Sequence, residues 1–115
     1  MSFYSNSVRM KFEPARSLAA GSIGAGYSGV GTAVDHPVRQ FFIQNLTDAT
    51  VWFSFDGIDD HFPLPTNGFF LNDITSNRTE QSGAFALAEG DRLYVKRLGV
   101  PTTGSVYFSV VYARL

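Results

Sequence analysis

In several segments between Arg39 and Ala113 the apolar residues recur at every second position, and no segment shows the three-and-four spacing of a helix. In Arg39 to Asn45, Phe41 and Ile43 fall on one face, with Gln40, Phe42 and Gln44 on the other. Thr50 to Phe55 sets Val51, Phe53 and Phe55 against Trp52 and Ser54. Arg92 to Leu98 turns Leu93 and Val95 inward; Ser105 to Ala113 does the same with Val106, Phe108, Val110 and Tyr112. Shorter apolar pieces stand at Phe62 to Leu64, Phe69 to Leu71 and Ala84 to Leu87. Asp56-Gly57, Asn67-Gly68, Glu89-Gly90-Asp91 and the Gly99 to Gly104 stretch supply the turns. Leu46 to Ala49 has the length of a hairpin connection. This pattern predicts an all-β chain, a single antiparallel β-sandwich or jelly-roll-like domain of about seven to nine strands over residues 39–115.

The first 38 residues read differently. Val8 to Phe12 alternates apolar and charged, which predicts a strand ended by Pro14. Beyond it, Gly21, Gly24, Gly26, Gly29 and Gly31 interleave with Ile23, Tyr27 and Val30. Glycine at that density weakens helix and strand alike. Residues 1–38 are therefore expected to form an extended N-terminal arm and glycine-rich loop, held in place by a partner.

The chain has 115 residues, which suits one domain with a core that needs no staple. It contains no cysteine, which removes disulfides and thiolate metal sites. Nine basic residues against ten acidic ones leave a net charge of −1, a poor match to a nucleic-acid or anionic-membrane binder. No apolar run nears the ~18 residues of a membrane span, and Met1 to Ser7 lacks the pattern of a secretory signal. A soluble protein made in a cytoplasm is expected.

Catalytic and cofactor patterns fail on context. Gly24-Ala25-Gly26-Tyr27-Ser28-Gly29 fits G-x-G-x-x-G, but Val30 to Pro37 will not form the helix that a pyrophosphate requires. Gly26 to Val30 ends in valine where a nucleophile elbow needs glycine. His36 and His61 lie near prolines in turns, and two histidines without cysteine make a poor transition-metal set. Asp56-Gly57-Ile58-Asp59-Asp60 gathers carboxylates without the spacing of a calcium loop, and reads as a solvated turn or an acidic contact for a basic partner. Asn45-Leu46-Thr47 and Asn77-Arg78-Thr79 fit the glycosylation sequon, though Asn45 reads better as the close of a strand. The expectation is a non-enzyme with no catalytic residue, cofactor or metal.

Seventeen aromatics remain, eleven Phe, five Tyr and one Trp. Phe42, Trp52, Tyr94 and Tyr107 fall opposite the expected core face, where aromatic residues anchor protein contacts. The expected partner-binding residues are Phe3, Tyr4, Arg9, Met10, Lys11, Phe12, Tyr27, Trp52, Asp56, Asp59 and Asp60. In this reading the arm adds a strand to a neighbouring sheet edge, and Arg9 and Lys11 meet the Asp56 to Asp60 loop of another copy.

Asn45-x-Thr47, Ser54-Phe55-Asp56-Gly57, Leu64-Pro65 and Gly104-Ser105-Val106-Tyr107 together resemble small structural proteins of tailed-bacteriophage virions. The resemblance covers about residues 39–112. It implies a β-sandwich or jelly-roll-like subunit, homo-oligomeric, bound to copies of itself and to other virion proteins. Capsid decoration is the first role it implies, and a neck or tail adaptor ring the second. A carbohydrate- or receptor-binding sandwich, with Trp52 and Tyr94 as sugar platforms, is the reading from another class. The resemblance places the chain in the virion, without nucleic acid or membrane as a partner, and supplies no catalytic residue.

Overall fold

A computed structural model describes residues 9–73, 87 and 89–114. Among these residues there are nine strands in two antiparallel sheets: β1 (Arg9–Phe12), β2 (Arg16–Ala19), β3 (Ser28–Gly29), β4 (Val38–Asn45), β5 (Val51–Ser54), β6 (Phe62–Leu64), β7 (Phe69–Asp73), β8 (Tyr94–Arg97) and β9 (Ser105–Arg114). Sheet A runs β1-β9-β4-β7, with β2 also on β9; sheet B runs β3-β8-β5-β6. The pairs are nested. β1 and β2 pair with β9, β3 with β8, β4 with β7 and β5 with β6, and only β5 to β6 stays within one sheet among the later steps. A long antiparallel ladder rolled over itself in this order is a jelly roll.

The alternation read from the sequence fills the space between the sheets. Phe41, Ile43, Val106, Phe108 and Val110 come from sheet A, and Val51, Phe53, Leu64 and Val95 from sheet B, all buried. Ser54 departs from the pattern: it is fully buried although it lies on the Trp52 side of β5.

Two expectations are corrected. The glycine-rich segment is not an arm outside the sandwich; it runs antiparallel to residues 87–97 and closes one side of the core. Arg97 N–H donates to Gly24 O, Val30 N–H to Leu93 O, Val34 N–H to Asp91 O and Val38 N–H to Leu87 O, at 2.8–3.0 Å. Ile23, Val30 and Val34 point inward and are buried. Its own chain holds it, so the sandwich begins at β1 rather than at Arg39. Glycine serves a local purpose at Gly31, whose φ of +67° no L side chain adopts freely and whose Cβ would meet the Arg16 side chain. The second correction concerns residues 46–49, which form no hairpin. β4 belongs to sheet A and β5 to sheet B, so this connection is a corner between sheets.

β1 and β2 are one edge strand broken by a bulge. Phe12 stands opposite Val111 and Arg16 opposite Phe108, so four steps on one side match three on β9. The extra residue brings Glu13 and Arg16 to the same inner side, where both are buried. Arg16 Nη2 donates to Glu13 Oε1 at 2.7 Å and to Ala33 O at 2.9 Å, and its Nε to Thr32 O at 2.8 Å. Glu13 also contacts His36 Nδ1 at 2.7 Å and accepts from the Asp35 N–H. His36 in turn stacks on Tyr112, ring centroids 3.7 Å apart. Burial opposes ionisation of Glu13, but the hydrogen bonds from His36 and Arg16 outweigh it and hold the carboxyl below its usual range.

Candidate interaction surfaces

The N-x-T, S-F-D-G, L-P and G-S-V-Y motifs converge on the corners of the fold. Asn45, fully buried at the end of β4, donates from Nδ2 to Ala49 O and Leu64 O at 2.9 Å and to Pro65 O at 3.1 Å. Its Oδ1 accepts from the Thr47 N–H and hydroxyl. Asn45 in this setting is no acceptor for a glycan. Gly104, at φ +82°, passes so close to this corner that a Cβ would lie 2.0 Å from Leu46 O. Asp48 ties the same corner to the 101–104 loop: the Thr102 hydroxyl and the N–H groups of Thr102 and Thr103 hold its carboxyl down at about 2. N-x-T, L-P and G-S-V-Y are thus one hydrogen-bonded knot.

Ser54-Phe55-Asp56-Gly57 is a second device of the same kind. Ser54 Oγ donates to Asp56 Oδ1 at 2.8 Å and accepts from Gly57 N–H at 2.9 Å. The N–H groups of Ile58 and Asp59 donate to Asp56 Oδ1 and, with Ser54, hold that carboxyl well below the usual range. Asp56, Asp59 and His61 bring one ligand atom each within 4.8 Å of one another. Asp56 Oδ1 is already occupied by three donors, and His61 Nδ1 accepts the Phe55 N–H at 3.0 Å. The arrangement is that of a self-capped turn.

The outer face of sheet B carries charges and rings that satisfy one another. Lys96 Nζ lies 2.8 Å from Asp60 and 4.9 Å from the Tyr27 ring centroid, and Tyr27 donates to Asp60. Burial and then the hydrogen bond to Asp60 push the Tyr27 hydroxyl above its ordinary range, while Lys96 and Tyr27 hold Asp60 below its own. Gly57 lies against the Tyr94 ring, and the Arg92 guanidinium sits 5.8 Å from its centroid. Tyr94 is therefore no open platform. Trp52 is half-buried on this face, between Lys96 and Pro63 in register. The acidic loop expected to meet Arg9 and Lys11 of another copy has Asp60 and Asp56 engaged within its own chain; Asp59 is exposed.

The outer face of sheet A is different in kind. The register lines up Phe12, Val111 and Gln40, then Ser109, Phe42 and Leu71, then Tyr107, Gln44 and Phe69. Phe12 is 74%, Phe69 64% and Leu71 63% exposed, and Met10 is exposed beside them. Apart from Asp73, which the register sets opposite Gln40 at one corner, and Arg39, at the β4 bulge beside Gln40, its described strand positions hold no charged residue. A groove of about 330 Å³ runs along it between Phe12 and Leu71. Of the expected contact residues, Met10 and Phe12 belong to this face. Lys11 falls on the opposite side of β1, Tyr27 and Trp52 on sheet B, and Phe3 and Tyr4 outside the described residues. Phe69 and Leu71 were missed because Phe69-Phe70-Leu71 is apolar throughout and hides which residues point out.

The G-x-G-x-x-G segment ends in β3 and is followed by bends at residues 30–32, not by the helix that a dinucleotide needs. No helix among the described residues is long and apolar enough to cross a membrane. No protein-family model, curated protein or solved structure matches the chain.

Proposed function

We propose that this chain is a virion structural protein of a tailed bacteriophage, a capsid decoration subunit that binds other subunits through the outer face of sheet A. The observation that carries this reading is the exposed, largely apolar face running from Phe12 to Phe69. Monomers rarely expose such contiguous apolar surface, and a sheet face of this kind packs well against another protein. The motifs that resemble those of virion proteins support the same reading, since they stiffen corners rather than form a reactive site. A rigid scaffold that presents one apolar face suits a subunit repeated over a particle. The carbohydrate-binding reading has less to stand on, because Tyr94 is half-buried beside Arg92 and Asp60 is engaged.

The test uses purified particles. The chain's abundance relative to the major capsid protein should approach stoichiometric; a few dozen copies would instead favour a neck or tail ring. Phe12→Glu places a charge on the exposed face without touching the core, and should remove the chain from particles while leaving its thermal transition in place. Normal incorporation of that variant would sink the outer-face reading.

A further inference from the structure

The turn between β6 and β7 is built on an Asn-Gly pair, and its geometry asks for both residues. Gly68 N–H donates to Pro65 O at 2.8 Å, which closes a four-residue turn over Pro65 to Gly68. Asn67 holds its third position at φ +64°, the one positive φ outside glycine among the described residues. Asparagine tolerates that conformation better than most L residues. A Cβ at Gly68 would lie 2.9 Å from both the ring and the carbonyl oxygen of Pro65. Asn45 holds the pair from either side: Asn67 N–H donates to Asn45 O at 2.8 Å, and Asn45 N–H to Gly68 O at 2.9 Å. Of the five asparagines in the chain, Asn67 is the one that precedes glycine, and it is exposed.

We propose that Asn67 is a spontaneous deamidation site that the folded turn holds shut and that opening of the Asn45 corner releases. In the reaction the Gly68 backbone nitrogen attacks Asn67 Cγ. The new N–C bond closes a five-membered succinimide ring, and the Cγ–Nδ2 bond breaks, the Gly68 proton leaving with the amide as ammonia. Water then opens the ring at either carbonyl and leaves aspartate or isoaspartate at position 67. Nothing is oxidised or reduced, and water is the only co-reactant. Glycine leaves its nitrogen unshielded, whereas the other four asparagines precede Ser7, Leu46, Asp73 and Arg78.

The fold opposes the first step. A residue with this φ has ψ of about 0 to +60°, which turns Cβ away from the next nitrogen across the Cα–C bond. Ring closure needs the two on the same side, so the peptide plane must turn over. Turning it breaks the Gly68 bond to Pro65 and displaces the flanking Asn67 N–H and Gly68 C=O from Asn45. Conversion in the native protein therefore follows the small population in which this corner is open. The product then acts back on the corner. Isoaspartate inserts its Cβ into the main chain between Asn67 N–H and Gly68 O, so the two groups no longer both meet Asn45. The Asn45 side chain is what ties this corner to Leu64 and Pro65, and the modified corner stays loose.

The experiment is peptide mapping by mass spectrometry after incubation at mildly alkaline pH, with isoaspartate identified by enzymatic methylation. In urea, Asn67 should convert faster than the other four asparagines. Without urea it should convert at least about tenfold more slowly. Sub-denaturing urea should raise the native rate. Asn45→Ala should raise it without urea, and Phe12→Ala should not; if Asn45→Ala fails to fold, the urea series decides alone. Equal rates in the folded and unfolded chain would overturn the gate, and earlier conversion of another asparagine in urea would overturn the site. Purified chain carrying isoaspartate at 67 should have a lower urea midpoint than Asn67→Asp, which keeps the ordinary main chain. Equal midpoints would overturn the loosened corner.

Discussion

Asn45 Nδ2 reaches the carbonyl of Leu64 at 2.9 Å and so joins the last residue of β4, in sheet A, to the last residue of β6, in sheet B. One side chain closes the corner that the backbone leaves open. Asn45→Ala removes the donor from three carbonyls and the acceptor from Thr47. Buried groups left unpaired cost about 1–3 kcal/mol each, so a loss of about 3–5 kcal/mol is expected. Urea denaturation measures it, and a loss below about 1 kcal/mol would show that water replaces the side chain.

Gly104→Ala should be worse than an ordinary glycine replacement. The left-handed conformation costs an L residue roughly 1–2 kcal/mol, and the new Cβ would press into the Leu46 carbonyl. A total loss of at least about 2 kcal/mol is expected. Gly21→Ala is the control: nothing lies within 4 Å of the added atom, and it should be neutral or slightly stabilising.

Acid should loosen the bulge. Glu13 has a folded pKa below its usual 4.5, so its contribution to stability is full above that value and is lost as the pH falls through the folded one. Asp48, Asp56 and Asp60 shift in the same direction and add to the acid sensitivity. Glu13→Gln should therefore lower the denaturant midpoint at pH 7, and the gap to wild type should narrow toward pH 3. A constant gap across that range would assign Glu13 a packing role instead.

Phe108 and Phe12 separate the two faces of sheet A. Phe108→Ala empties a buried site and should cost about 3–5 kcal/mol, while Phe12→Ala should change stability by less than about 0.5 kcal/mol. Equal effects would mean that the inner and outer faces had been exchanged.

The core faces of β4, β8 and β9 were legible in the sequence because period-two alternation leaves one assignment for Phe41, Ile43, Val95, Phe108 and Val110. Other parts were hidden for physical reasons. β2 and β3 lie in a stretch whose glycines suggest a loop, and Arg16 looks like a surface residue until its partners at 13, 32 and 33 come together through folding. A corner between sheets and a hairpin need the same few residues, so 46–49 was ambiguous by length; the pairing of β4 with β9 and β7 but of β5 with β8 and β6 decides it. The apolar outer face was half visible. Phe42 and Phe12 show it in sequence, but Phe69 and Leu71 join it only through the β4 register.

The nesting of the strands also governs when the molecule can exist. β9 lies between β1 and β4, so sheet A has no centre until residues 105–114 have been synthesised and have met partners made near the beginning. Closing loops of that span makes for slow folding, with the β4–β7 pair left without its β9 neighbour in the meantime. Each newly made chain thus passes through a sticky interval before sheet A is assembled, and chaperone supply or lower temperature during synthesis should raise the yield of folded chain.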